Sequence, residues 1–146
     1  MENAFTIFTV PIYGKIKDRI RNHRKIYGID IGIKKMMDDS FSIDSGKIYE
    51  NIVYLNTRKM NKNIFYFKGK QEVDFYYSIN KKDTLINVSY DISDTPTKKR
   101  EIEGLTEAMD FFGAKESLLI NNELEQEINV NGKKIYAVPL WKWLIQ

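Results

Sequence analysis

Two carboxylates in one predicted strand are spaced so that both side chains leave the strand on the same side. Side chains in a strand alternate faces with a period of two, so Glu72 and Asp74 are predicted to share a face opposite Val73 and Phe75. Carboxylate oxygens are the ligands that hard divalent cations such as Mg²⁺ prefer. The strand could therefore aim carboxylates at one point, where Glu72 is expected to be a neighbour of the centre rather than a ligand.

The next apolar run carries polar side chains that would face the same centre. Asn87, Ser89 and Asp91 alternate with apolar residues and are predicted to share one face of a neighbouring strand. Residues 80–84 are polar and of hairpin length, so they are predicted to form the loop between the two strands. This arrangement would aim Asn87 and Ser89 at the position of Asp74.

A helix is predicted just before these strands, and it carries a third carboxylate, Glu50. Asp44 or Ser45 is placed to cap its first turn. Its apolar stripe is predicted at helical spacing by Ile48, Ile52 and Leu55. Glu50 would then lie at the far edge of this stripe and would have to reach the centre from there.

The remaining pattern predicts an α/β fold with a mixed central β-sheet flanked by helices. Strands are predicted at residues 25–31, 64–67 and 115–121, and Asn131-Gly132 is a strong hairpin signal. Thr95 and Pro96 predict a helix start, and Gly113 predicts its end. The tryptophans near the C-terminus are predicted to anchor the tail to the core.

Four motifs occur in an order that resembles a known family. They are residues 46–55, 72–75, 86–92 and 97–102, and the likeness extends to residues 24–32 and 138–144. Together they resemble the C-terminal DUF4143 domain of prokaryotic AAA-type ATPases, which belongs to the PD-(D/E)xK nuclease-like fold group. The resemblance covers most of the chain and implies that fold.

The resemblance also implies where the catalytic residues of a nuclease would lie. It places the helix acid at Glu50, the strand acid at Asp74, the second strand acid at Asn87 and the lysine at Ser89. Asparagine adds no negative charge and serine carries no cation at neutral pH, so two of the four positions depart from the pattern. Asp91 is the candidate third metal ligand beside Glu50 and Asp74, and Mg²⁺ is the expected cofactor only of an active centre.

Basic residues are unevenly distributed and predict a surface for nucleic acid, because phosphate backbones bind to basic faces. The candidate contacts are Arg19, Arg21, Arg24, Lys25, Lys98, Lys99 and Arg100. The last three lie in the first turn of a predicted helix, where cations are unfavourable beside the helix dipole. An anionic partner would relieve this cost, although a solvated mixed-charge surface is the alternative.

Length and composition fit one domain spanning residues 1–146. The chain is 42% hydrophobic, has a formal net charge of +3 and contains no cysteine, which excludes disulfides and thiolate metal sites. No apolar run reaches the length of a membrane span, so we expect a cytoplasmic protein. No Walker A motif occurs, and residues 1–23 are expected to form the connection from an ATPase module, supplied in cis or in trans.

These observations predict a degenerate nuclease-fold accessory domain of an AAA-type ATPase. It would bind nucleic acid or a protein partner without catalysis, because two catalytic positions are lost. Two alternatives stay open at this point: an active Mg²⁺-dependent nuclease, and a structural or oligomerisation domain. Fold likeness alone does not decide among them.

Overall fold

A computed structural model of the chain describes residues 7–29 and 44–145. Within these ranges the chain forms eight strands and four helices. In chain order they are β1 (Ile7–Val10), α1 (Ile16–Arg21), β2 (Lys25–Gly28), α2 (Ser45–Met60), β3 (Phe65–Lys68), β4 (Glu72–Ile79), β5 (Lys82–Val88), α3 (Thr95–Phe112), β6 (Glu116–Asn121), β7 (Gln126–Val130), β8 (Lys133–Pro139) and α4 (Leu140–Leu144).

Six of the strands form one mixed sheet in the order β3-β4-β5-β6-β8-β7. β5, β6 and β8 run parallel, whereas β3, β4 and β7 pair antiparallel with their neighbours. β1 and β2 form a separate antiparallel ribbon. The predicted α/β class and the mixed central sheet flanked by helices are confirmed.

The sheet separates two apolar cores. One core lies under α2, the β1–β2 ribbon and α4, and includes Tyr54 and Ile86. The other lies under α3 and includes Leu105 and Met109. Val10 of β1 is only 1% exposed, so the predicted connecting segment contributes to the first core. The part of that segment before Ile7 lies outside the described residues.

The predicted alternation along β4 is wrong beyond Asp74. Val73 packs in the core under α3, but Phe75 packs in the core under α2. The pairing of β3 with β4 shifts between Phe65 and Phe67, where β4 contains one extra residue. Such a bulge re-aims side chains, and here it puts Asp74 and Phe75 on the same side of the sheet.

Two predicted connections differ from the structure, and one is confirmed. The β4–β5 loop is a two-residue turn, Asn80-Lys81, in which both residues have positive φ, as tight hairpins require. α3 is capped by Asp94, whose carboxylate accepts a hydrogen bond from Thr97 N at 3.0 Å, one residue earlier than expected. The hairpin at Asn131-Gly132 is confirmed.

Two further predictions concern the end of β2 and the packing of the C-terminal tryptophans. Of the predicted strand at residues 25–31, the structure gives Lys25–Gly28, and residues 30 and 31 lie outside the described residues. At the C-terminus Trp143 packs against the core, but Trp141 is 62% exposed. Of the helices in the described ranges, none has the length and apolar character that crossing a bilayer requires.

Candidate functional site: a lysine among three carboxylates

Three carboxylates converge on the ammonium group of Lys25. Its Nζ lies 2.7 Å from Asp74 Oδ1, 2.8 Å from Glu72 Oε1 and 3.1 Å from Glu50 Oε1. The side chains of Lys25, Glu50 and Asp74 are each less than a quarter exposed, whereas that of Glu72 is 41% exposed. The structure thus brings together the helix acid and the strand acid that the sequence singled out, and adds a cation between them.

The predicted stripe of α2 is displaced, and the displacement favours Glu50. The fully buried residues of this helix are Asn51, Val53, Tyr54 and Thr57. Glu50 precedes Val53 by three residues and Tyr54 by four, so it shares their face. The apolar pattern of the sequence did not indicate this buried face, because a tyrosine and two polar residues form most of it. Glu50 therefore does not reach the centre from a far edge; it lies on the inward side.

The β1–β2 ribbon places Lys25 and is itself held by α2. Lys25 and Tyr27 are two residues apart in β2 and therefore share its inner face. The side chain of Asn51 accepts a hydrogen bond from Gly28 N and donates one to Gly28 O, both at 2.9 Å. Tyr27 donates its hydroxyl hydrogen to Glu50 Oε1 at 2.5 Å. These contacts fix the strand that carries the lysine against the helix that carries Glu50.

Asp74 has a second anchor on the neighbouring strand. Val88 N donates to Asp74 Oδ2 at 2.8 Å, while Oδ1 faces Lys25. Both carboxylate oxygens are therefore engaged within the protein. A cavity of about 210 Å³ lies beside this carboxylate and is lined by Gln71, Glu72, Asp74, Val88, Arg100 and Glu101.

The electrostatics of the centre are dominated by burial. Burial raises the pKa of Asp74 and Glu50 raises it further, so that it reaches about 7 although Lys25 and the Val88 amide lower it. Burial opposes the charged form of Lys25, but Asp74 and Glu50 outweigh this effect and raise its pKa. Burial and the adjacent Glu50 also raise the pKa of the Tyr27 hydroxyl.

Asn87, which the resemblance places at the second strand acid, does not point into this centre. Its side chain is 1% exposed and lies on the α3 side of the sheet. Asn87 Oδ1 accepts from Asp74 N at 2.9 Å, and its Nδ2 donates to Glu101 Oε2 at 2.8 Å. The amide thus bridges the bulged strand and α3, which is a structural role.

The predicted common face of Asn87, Ser89 and Asp91 is not formed, because β5 ends at Val88. The hydroxyl of Ser89 donates to Asp91 O at 3.3 Å. The Asp91 carboxylate accepts from Ser93 N at 2.8 Å and lines a different cavity from the one beside Asp74. The proposed ligand set of Glu50, Asp74 and Asp91 is therefore not assembled.

The donor set does not fit a resident Mg²⁺ ion. Across residues 7–29 and 44–145, no three acidic or histidine side chains form a group suited to hold a metal. The three carboxylates that do converge already surround the ammonium of Lys25, whose positive charge opposes the entry of a divalent cation. No step of metal chemistry follows from this arrangement.

The candidate basic contacts lie in three places: the Lys25 centre, α1 with the residues just after it, and the first turn of α3. Lys25 is part of the acidic centre, so its assignment to a nucleic-acid surface is corrected. Arg21 and Arg24 are exposed at the end of α1 and just after it. Arg19 is held by Gly14 O at 2.9 Å and by the ring of Phe65, with its guanidinium carbon 4.5 Å from the ring centre.

The basic first turn of α3 is engaged with nearby polar groups. Lys98 donates to Gln126 Oε1 at 3.1 Å, Lys99 lies 3.8 Å from Glu103, and Arg100 donates to Glu101 Oε1 at 3.1 Å. Arg100 also lines the cavity beside Asp74. This turn is therefore less available to an anionic partner than the end of α1.

Sequence reasoning missed the central role of Lys25 and the participation of Tyr27. The signal was present, because alternation in residues 25–28 puts both side chains on one face, but nothing in the sequence says that this face meets Glu50. Glu72, which we expected to be a neighbour of the centre, contacts Lys25 directly.

One longer relative matches nearly the whole chain. An uncharacterised protein of Methanocaldococcus jannaschii, MJ1544, is 35% identical over 153 residues, which cover 97% of this chain and 33% of the relative. The chain therefore spans about one third of the length of this relative. No protein-family model matches the chain, and no solved structure matches it significantly.

Proposed function

We propose that this chain is a nuclease-like domain whose acidic centre has become structural, and that it serves a larger ATPase as a nucleic-acid-binding module without cutting. The observation that carries the proposal is the use of Asn87. Its amide bridges Asp74 N and Glu101, so the position of the second strand acid supports the fold and does not face the centre.

The remaining positions support the same conclusion. Ser89 carries no positive charge, lies beyond the end of β5 and bonds locally. Nothing at this position therefore replaces the lysine of the pattern. The mixed sheet, with Asp74 on a bulged inner strand and Glu50 on the facing helix, agrees with the nuclease-like arrangement that the sequence resembles. The length of the M. jannaschii relative leaves room for a further module. An ATPase partner and a cytoplasmic location stay predictions.

The binding surface that we propose is the basic surface of α1. It consists of exposed cations in and beside this short helix: Lys15, Lys17, Arg21 and Arg24. Asp18 is the one acidic residue of the helix, and it is occupied by Lys15 N at 3.1 Å. Clustered cations of this kind bind phosphate backbones with a strong dependence on salt.

The test uses fluorescently labelled single- and double-stranded DNA and RNA, with Mg²⁺ or with EDTA, read by anisotropy and by gel. We expect binding that is independent of Mg²⁺ and no cleavage. Asp74→Asn should leave the affinity unchanged. The double charge reversal Arg21→Glu and Arg24→Glu should weaken binding and reduce the slope of log K against log salt by about one per lost phosphate contact.

A matched control keeps the same change in net charge. Lys81→Glu and Lys82→Glu alter two exposed lysines at the β4–β5 turn and should leave binding unchanged. Equal losses in both double variants would show that only net charge matters and would remove the assigned surface. A failure of every nucleic acid to bind at low salt would leave a structural or oligomerisation domain as the function.

A metal-dependent nuclease is the second candidate, and one contact favours it. Lys25 places an ammonium 2.7 Å from Asp74, so a lysine does stand beside the two retained acids, although it comes from a different strand. Mg²⁺-dependent cleavage by the wild type that is lost in Glu50→Gln and in Asp74→Asn would establish this activity in place of the binding module.

A further inference from the structure

The ammonium of Lys25 donates hydrogen bonds to Glu50 and Asp74 and forms an ion pair with Glu72. An ammonium has three N–H donors and no acceptor, and here three different carboxylates lie within 3.1 Å of the nitrogen. The carboxylates come from α2 and from two positions of β4, whereas the lysine comes from β2. One cation therefore joins the helix, the central sheet and the two-stranded ribbon at a single point.

Without this cation the three carboxylates would face one another. Like charges at such separations destabilise the ionised forms, and burial increases the cost. A nuclease-like centre resolves the same repulsion with a divalent ion bound through carboxylate oxygens. In this chain the neutralising positive charge belongs to the protein, because a side chain of the domain itself carries it.

Contacts of the neighbouring residues hold Lys25 in this position. Its neighbour Tyr27 is anchored on Glu50, and its strand is bound at the edge by Asn51. Across the ribbon Lys25 pairs with Val10, which is fully packed in the core. Its Nζ also lies 5.7 Å from the ring centre of Tyr66, at a distance where a cation is attracted by the ring.

We infer that Lys25 is the resident cation of this centre: its ammonium takes the place of a divalent ion among Glu50, Glu72 and Asp74 and excludes such an ion. This inference rests on the proposed non-catalytic function. It makes the domain independent of metal for folding. It also predicts that, once the lysine charge is removed, the three carboxylates can draw together around a divalent cation.

The experiment compares Mn²⁺ binding by the wild type and by Lys25→Met, a variant that keeps an unbranched side chain without charge. Binding is measured by isothermal calorimetry and by the electron paramagnetic resonance of free Mn²⁺, and thermal unfolding is followed with Mn²⁺ or EDTA. We expect the variant to bind one Mn²⁺ at least about tenfold more tightly than the wild type, because three oxygen ligands become free. Its Tm should rise with Mn²⁺, whereas the wild-type Tm should not.

Two controls identify the source of the effect. Lys81→Met removes an exposed charge elsewhere and should leave Mn²⁺ binding at the wild-type level. Adding Glu50→Gln and Asp74→Asn to Lys25→Met removes two of the three ligands, so it should abolish the gained site. If Lys25→Met folds only when Mn²⁺ is present, this supports the inference directly.

Three results would overturn the inference. They are equal Mn²⁺ affinity in the wild type and in folded Lys25→Met, a gained site that survives the removal of Glu50 and Asp74 carboxylates, and failure of Lys25→Met to fold with or without Mn²⁺. None of these depends on nucleic acid. The binding-module proposal fails instead if no nucleic acid binds at low salt, which leaves the Mn²⁺ results unaffected, so the two failures are distinguishable.

Discussion

Replacing Asp74 by asparagine should remove a large part of the pH dependence of folding stability. The pKa of this carboxyl group rises from 3.8 to about 7 on folding, chiefly because it is buried and because Glu50 adds negative charge nearby. Between these two values the folded state binds a proton that the unfolded state has lost. The free energy of unfolding must therefore fall as the pH rises across this interval.

The size of the effect follows from the width of the interval. Each pH unit between the unfolded and folded pKa values changes the free energy of unfolding by about 1.4 kcal/mol per group. The interval from 3.8 to about 7 spans roughly three units, so the wild type should lose on the order of 4 kcal/mol relative to Asp74→Asn. The stability contributed by the protonated carboxyl is fully present below pH 3.8 and is lost as the pH rises through 7.

Urea unfolding at half-unit intervals from pH 4 to pH 8 provides the measurement, with the wild type and the variant compared at each pH. Taking the difference cancels the titration of groups far from the substitution. Asp83→Asn, which alters a carboxylate at the start of β5 outside the Lys25 centre, serves as the matched control. A wild type that gains stability over Asp74→Asn as the pH rises would refute the reasoning, because it would mean that Lys25 outweighs burial.

Three further substitutions test local contacts that stabilise the fold. Asn87→Asp should cost about 2–4 kcal/mol in urea unfolding, since it sets a buried charge against Glu101, and Glu101→Gln should recover most of the loss. Glu107→Ala should cost about 1–2 kcal/mol, because its carboxylate accepts the amide hydrogens of the β3–β4 turn, and an unchanged urea midpoint would contradict this role. Gly113→Ala should lower the Tm and cost about 1 kcal/mol, because φ is +70° there; open space around the position leaves backbone strain as the cause.

Local pattern in the sequence was sufficient to predict most of the secondary structure. The hairpin at Asn131-Gly132 and the end of α3 at Gly113 follow from residues that tolerate positive φ, a property of the residue itself. Such features depend on neighbours within a few positions, so the linear sequence contains them in full.

The bulge in β4 was not predictable in this way. A period of two places Val73 and Phe75 on one face, and only the pairing with β3 inserts the extra residue that separates them. The buried face of α2 was misassigned for a related reason. Tyr54 and Asn51 are buried because β2 and the central sheet cover them, and their polar atoms give no apolar signal.

What the sequence by itself determined is the inventory of the centre: a helix carrying Glu50, a strand carrying Glu72 and Asp74, and the absence of an acid and a lysine at positions 87 and 89. What only the tertiary structure decided is which charged side chain lies among these carboxylates. Lys25 lies 25 positions from Glu50 and 49 from Asp74, and its distance to either depends on how a two-stranded ribbon docks against a helix and a sheet. Electrostatic interactions depend on separation in space, so the charge that neutralises the centre is visible only once the chain is folded.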